Sequence, residues 1–551
     1  MFLAIDQYKS DCKNNMTLNL TSTNKSTQRS KASTTSSKGS LGTLKQITQA
    51  FRAYQVARNE FINSLTGFLE IEDDDSATLE ALMKNDVMAV LCCPLSQDPV
   101  AGIQSLTLQC LAKLSAADPL LSQVVVSCGI LDGVLASMAH EHAPVQASAS
   151  NVISAVTGSG PEFAKKVLKS GVMPALLNNL QSSNLLVKEA AVNTLATLIE
   201  SSPEHAALVC TEHVLSVLVS LLRVQGSPRT LLLALVVCLS HVAAKSAALS
   251  EALVTKHGAL KPLTAFVQGA NTPPDIKAAS LNASAQICRH NEELVNQVAN
   301  AGVLTSAVQL LTDKMTSAVR RNSSGLLLQA TQKTPDLAEV VARAGAPACL
   351  QTFMTLEAGN RDGMLAGCMI IGTMGSFKAV TAKALVDAGA GTPLITCVPH
   401  ADQEVAGVAA WAIEQLGQHS EETAGPLVTA GALMALSQVY CSMPKKKTEL
   451  RSKRKSSIKT LIRCAPNAQS LEPFVDKAIP PPLLKHFLRR LEPLLAKSPK
   501  DRQSFVTSGA LHRLQTIMAV PGLLKEPAVS HAFSISSLFP EDVVKYYAGN
   551  S

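Results

Sequence analysis

The sequence predicts an all-α protein, a solenoid of stacked helical repeats, on three observations. Of its 551 residues 46% are hydrophobic but only 3% aromatic, a core vocabulary that suits closely packed helices. One glycine-centred phrase returns at a nearly constant interval. No stretch alternates apolar and polar residues as a half-buried strand would. With 17% charged residues and a mean hydropathy of +0.18, most of the chain is too apolar for charge-driven disorder.

The repeated phrase is an apolar run, then Ala or Ser with Gly, then a second amphipathic run. It reads SCGILDGVL at Ser127–Leu135, SGVMPALL at Ser170–Leu177 and HGALKPL at His257–Leu263. It returns at Ala301–Val308, Ala344–Leu350, Ala388–Leu394 and Ala430–Leu436. The landmark falls at 86, 129, 171, 213, 258, 302, 345, 389 and 431, at intervals of 42 to 45 residues. A last copy, SGALHRL at Ser508–Leu514, leaves room for one degenerate repeat before it. That period belongs to units of two or three helices, and the predicted fold class is an armadillo-repeat right-handed superhelical solenoid.

Each element of the unit has a local reason. The first helix opens on Pro followed by an acid, as in Gly160-Pro161-Glu162, Ser202-Pro203-Glu204 and Thr334-Pro335-Asp336. Proline is pre-set for the first helical position after a Ser/Thr cap, and a carboxylate there meets the positive helix end. The landmark glycine then turns the chain, since glycine reaches positive φ without a Cβ clash. Asp86 and His213 stand in its place in two copies. The third helix of the unit includes Lys188–Glu200 and Val405–Gln418. One such unit cannot bury its apolar faces alone, so stability must come from stacking.

Charge is unevenly distributed. Residues 1–43 hold six Lys/Arg against two Asp/Glu, and residues 441–500 hold fifteen against four. The rest of the array, residues 44–440, holds 24 against 32 and is acidic. The stretch Met16–Ser40 is Ser/Thr-rich with few apolar anchors and reads as disordered. Thirteen scattered cysteines without a CxxC pair read as small core residues in a reducing cytosol. The N-terminus lacks the apolar stretch of a cleavable signal, and the run Leu231–Val242 is too short to span a bilayer, so a soluble cytoplasmic protein without a membrane contact is expected.

The flanks of the array carry further motifs. Before it stands QAFRAYQVARNEF, with Phe51, Tyr54, Gln55, Ala57, Arg58 and Phe61. After it come IKTLIRCAP at Ile458–Pro466, LEPFV at Leu471–Val475, SFVTSGAL at Ser504–Leu511 and FPEDVVKYY at Phe539–Tyr547. Together with AAWAIEQLGQHSEE at Ala409–Glu422, these resemble the sperm-associated antigen six family of axonemal armadillo proteins. The resemblance implies a structural protein of motile cilia and flagella that sits on the central-pair microtubules and supports beating. Its implied partners are tubulin and other central-apparatus proteins, and its implied location is the axoneme. The polar extension at 1–43 and the two missing glycines depart from the family pattern.

Candidate binding residues come from aligning the third helices. Setting Leu198 against Leu416 places Asn193 opposite Trp411, with Gln109, Asn151, Val237, Asn282, Gly325 and Met369 at the same position elsewhere. Third helices line the concave groove of armadillo arrays, and a row of amides there can pair with an extended partner's backbone. The candidates are Gln109, Asn151, Asn193, Asn282, Trp411 and Gln415, against solvated polar positions for each taken singly. Only Trp411 with Gln415 approaches the repeated Trp/Asn clamp of importin-alpha-like receptors, which disfavours a nuclear-transport adaptor; that, or another cytoplasmic protein-binding role, is the alternative reading.

A second candidate is Lys445, Lys446, Lys447, Arg451, Lys453, Arg454 and Lys455, seven cations in eleven positions. It is expected as an exposed loop that docks an acidic surface such as tubulin tails, against a merely solvated loop. No phosphate loop, HExxH, CxxC or nucleophile elbow occurs, and His140-Glu141-His142 lacks further ligands nearby, so no enzyme, metal or cofactor is expected and nucleic acid is disfavoured. The expected organisation is a disordered extension at 1–43, the array at 44–440, a basic loop at 441–457, and degenerate repeats with a cap at 458–551.

Overall fold

The computed structural model describes residues 39–68, 91, 95, 100–314, 316–443, 448–520, 522, 524, 525 and 527–549, and among them there are helices but no strand. The chain divides into two compact units, Met1–Pro262 and Leu263–Ser551. In each, two short helices and one long helix repeat in order. The first unit has Pro161–Lys169, Val172–Gln181 and Leu185–Ser201 as one such triplet. The second has Pro335–Arg343, Ala346–Leu356 and Arg361–Phe377. This is the armadillo unit, and the all-α armadillo class predicted from the sequence holds.

Long helices stack on one another. In the first unit Ala101–Ala117, Ala143–Gly158, Leu185–Ser201 and Arg229–Lys245 pack in series. In the second, Pro274–Cys288, Ser317–Thr331, Arg361–Phe377, Gln403–Gly417 and Thr448–Arg463 do the same. A long helix flanked on both sides buries more than one stripe: Leu185–Ser201 buries Val187, Ala190, Ala191, Leu195, Leu198 and Ile199 among others. Small residues on these faces permit close approach, which explains the aromatic-poor composition.

The starts of the first helices follow the predicted chemistry. Ser202 accepts from the His205 backbone N–H at 3.1 Å and Thr334 from that of Leu337 at 3.3 Å, each just before the helix-opening proline. The landmark glycine turn is left-handed where predicted; Gly345, for example, sits at φ +93°. No heavy atom lies within 4 Å of where a Gly345 Cβ would stand, so the cost of a side chain there is torsional. Gly345→Val is expected to lower stability by about 1–2 kcal/mol, read as a lower midpoint in chemical denaturation. A midpoint equal to wild type would show that this turn does not need glycine.

His213 is a different case. The preceding helix Pro203–Val209 ends at Cys210 with φ −79°, and Thr211 accepts from the Val214 N–H at 3.4 Å. His213 therefore lies in the first turn of Glu212–Leu222, and a threonine cap replaces the left-handed glycine. Asp86 and residues 1–38 lie outside the described residues. The helix Gly39–Phe68 begins inside the stretch expected to be a polar extension, so the 43/44 boundary falls within a helix.

A second regularity was not expected. The C-terminal carbonyls of several long helices are met by a side chain from the following repeat. Ser159 Oγ donates to Ser115 O at 3.2 Å and Lys245 Nζ to Glu200 O at 2.8 Å. Lys333 Nζ donates to Arg289 O at 2.7 Å, and His419 Nε2 to Gly375 O at 2.6 Å. A helix end leaves such carbonyls without intrahelical partners, so these contacts satisfy groups that would otherwise depend on water.

Candidate partner-binding surfaces

In the first unit, Gln109, Asn151 and Asn193 stand exposed on three successive long helices. The intervening hydroxyls tie those helices together: Ser105 Oγ to Ser148 Oγ at 3.1 Å, Thr157 Oγ1 to Thr197 Oγ1 at 2.9 Å, and Thr194 Oγ1 donating to Ser150 O at 2.8 Å. Gln109 Nε2 reaches only its own helix, at Ser105 Oγ, 3.4 Å away. Among the described residues the side chains of Asn151 and Asn193 have no hydrogen-bond partner, which leaves both amides open to a ligand's peptide groups. A depression of about 440 Å³ beside Gln109 is lined by Asn59, Ile103, Leu106, His142 and Pro144.

The other predicted positions belong to the second unit. Asn282 is half-buried and its Oδ1 accepts from Gln286 Nε2 at 3.4 Å, within one helix. Gly325 and Met369 interrupt the amides after it. The row of amides is thus three residues long in the first unit and is not continued as a row in the second.

Trp411 is half-exposed, with its ring lying against the bare backbone of Gly372 on the preceding long helix. It lines a depression of about 400 Å³ with Glu404, Val408, Glu414, Lys453 and Ser457. Gln415 Oε1 accepts from Gln418 Nε2 at 3.0 Å, so this amide is engaged with its own helix and does not complete a Trp/Asn clamp. The Glu414 carboxylate accepts from Ser456 at 2.7 Å and Ser457 at 3.1 Å on the next long helix.

The basic segment differs most from expectation. Lys445, Lys446 and Lys447 lie outside the described residues. The rest of the run is no loop: Arg451, Lys453, Arg454 and Lys455 belong to the long helix Thr448–Arg463, which takes the third-helix place of its repeat. Counting charges alone missed its apolar stripe. Ile458, Leu461 and Ile462 are buried against Gln403–Gly417, and that packing outweighs the repulsion among cations that point elsewhere. Arg454 is itself buried, its Nη1 meeting Met443 Sδ at 2.6 Å, and burial lowers the pKa of its guanidinium. Arg451 stacks over the Tyr440 ring at 4.4 Å and donates to Met443 O at 2.9 Å. Lys453 is exposed and Lys455 half-buried.

Reactive groups are scarce in this scaffold. Burial pushes the Cys210 and Cys288 thiols up to about 12, which keeps them protonated and inert at neutral pH. Among the described residues no three His, Cys, Asp or Glu side chains converge on a point that could hold a metal ion. His140 Nδ1 instead accepts the His142 backbone N–H at 3.0 Å.

No family model matches the chain. The mouse protein sperm-associated antigen 6 is 35% identical to it over 147 residues, 27% of this chain and 28% of the mouse protein. Human sperm-associated antigen 6 matches over the same length at the same identity. The match thus spans just over a quarter of these relatives. Among solved structures, an engineered protein from the Northeast Structural Genomics Consortium covers 82% of this chain and 98% of its own, with TM-score 0.61 and 16% identity, a likeness of fold alone. The chain thus has an armadillo-repeat fold and is similar, over about a quarter of its length, to sperm-associated antigen 6.

Proposed function

We propose that this armadillo-repeat protein, similar in part to sperm-associated antigen 6, is a non-catalytic scaffold of the ciliary and flagellar axoneme, in its central-pair apparatus. In that role it joins microtubules to other axonemal proteins and is needed for motility. The observation that carries this reading is the sequence match to sperm-associated antigen 6, on a fold whose repeats offer surface rather than a catalytic pocket. The exposed amides of Gln109, Asn151 and Asn193 suit an extended protein segment, and the cation-rich helix Thr448–Arg463 suits an acidic one. A nuclear-transport adaptor gains no support, because Trp411 is the only tryptophan and its Gln415 neighbour is occupied.

Localisation tests the reading directly. A tagged copy in a flagellated cell is expected along the axoneme, and depletion is expected to impair beating. A diffuse or nuclear signal with normal swimming would overturn it. In solution, replacing Lys445, Lys446, Lys447 and Lys453 with Gln is expected to weaken microtubule co-sedimentation at low salt, where surface charges are least screened. Pelleting equal to wild type would remove these lysines from the contact.

A further inference from the structure

We propose that the helices Thr448–Arg463 and Pro481–Lys497 together form an anion-binding surface for an extended glutamate-rich peptide. Its charge contacts are Lys455, Lys459, Lys485 and Arg489, gathered around His486. This deepens the scaffold reading, on which it rests, by moving the acidic contact from the 445–455 run to a surface shared by two packed helices.

The two helices each contribute a pair of cations one turn apart, Lys455 with Lys459 and Lys485 with Arg489. Lys459 and Arg489 are exposed, while Lys455 and Lys485 are half-buried. They share one field. The Lys455 ammonium is held below its ordinary value first by burial and then by Lys459, Lys485 and Arg451. Burial, with Lys459, Lys485, Lys455 and Arg489 around it, pushes the His486 imidazole down to about 4. All four charged groups acting on that ring are cations, from its own helix and from the one packed on it.

Nothing within the described residues neutralises them. Among the described residues no carboxylate pairs with Lys455, Lys459, Lys485 or Arg489, and three nearby acids are engaged elsewhere. Glu414 is taken by Ser456 and Ser457, Glu421 by Arg490 at 2.7 Å, and Glu492 by His531 at 2.6 Å. His486 Nε2 is buried without a hydrogen-bond partner. The cluster keeps this ring neutral, and a carboxylate-bearing partner would relieve the repulsion among the cations around it.

Spacing and chemistry favour a peptide. Cations at i and i+4 on a helix rise about 6 Å. Same-face residues of an extended chain repeat about every 6.6 Å, so alternate glutamates stay in step along each pair. Single-stranded nucleic acid instead needs aromatic platforms for its bases, and neither helix exposes an aromatic ring: Phe487 is fully buried.

The test uses the full chain and a fluorescent oligoglutamate peptide, with an oligothymidylate of equal charge as comparison. Wild type is expected to bind the peptide more tightly than the oligonucleotide, and more weakly as salt rises. The exposed double variant K459Q/R489Q is expected to keep the wild-type melting temperature and lose about tenfold or more in peptide affinity. Peptide addition is expected to raise the His486 pKa, followed by NMR of the ring. Equal binding by wild type and variant, tighter binding of the oligonucleotide, or an unmoved His486 would each overturn the proposal. If the peptide fails while microtubule co-sedimentation persists, this surface is wrong and the scaffold reading stands. If the peptide binds here but the protein is absent from axonemes, the reverse holds.

Discussion

Replacing Glu357 with Ala is expected to destabilise the second unit by about 3–5 kcal/mol, the usual cost of leaving a buried charge without its partner. Glu357 is 2% exposed and Arg320, on the preceding long helix, 8%. One carboxylate oxygen, Oε1, accepts from Arg320 Nε at 2.6 Å and Nη2 at 2.6 Å. The other accepts from Asn360 Nδ2 at 2.6 Å, and Ser317 Oγ lies at 3.3 Å from Oε1. Arg320 Nη1 donates onward to Asp313 O at 2.6 Å. Truncation therefore leaves a largely buried guanidinium without its counter-charge. Chemical denaturation gives the size of the loss, and hydrogen exchange in Ser317–Thr331 and Ala346–Leu356 gives its place. Pairing Glu357→Leu with Arg320→Met should recover most of the loss, since an apolar pair of similar volume often matches a buried ion pair. A loss below about 1 kcal/mol in the single variant, the scale of an exposed ion pair, would show the pair to be solvated.

Gly372→Val is expected to displace the Trp411 ring. A Cβ at position 372 would stand 2.3 Å from Cζ3 and 2.7 Å from Cε3 of that ring, inside any real contact distance. Removing a helical glycine would itself be favourable by under about 1 kcal/mol. Overpacking costs about 1–3 kcal/mol, so the net change is destabilising. Because Trp411 is the only tryptophan, its fluorescence reports this one contact. The emission should shift to the red as the ring moves into solvent. Unchanged emission with unchanged stability would mean that the indole does not rest on Gly372.

What the sequence made legible has a physical pattern. Left-handed turns were readable because Gly345 and its counterparts occupy a conformation that few other residues accept. Helix starts at Pro203 and Pro335 were readable because capping is local. His213 was misread, since a threonine two positions earlier can end one helix and start the next without any left-handed residue. The basic run was misread as a loop because a charge count ignores azimuth: Lys453 faces solvent while Arg454, its neighbour, is buried. In the candidate groove, the exposure of Gln109, Asn151 and Asn193 agreed with alignment, but the engagement of Gln415 depended on Gln418, one turn away. The pairing of Arg320 with Glu357 spans 37 residues, and nothing in either local pattern announces it.

The lysine, serine and histidine contacts that close the ends of the long helices give the stack a polarity. In each case the donor belongs to the repeat that comes later in the chain and the carbonyl to the one before. Cutting a repeat from the C-terminal side of such a pair strips the lid from a helix left behind, whereas cutting from the N-terminal side removes the helix and spares the lid's own repeat. The two ends of a fragment cut at such a pair are therefore not equivalent: both bare an apolar stacking face, but only the C-terminal one also leaves backbone carbonyls uncovered.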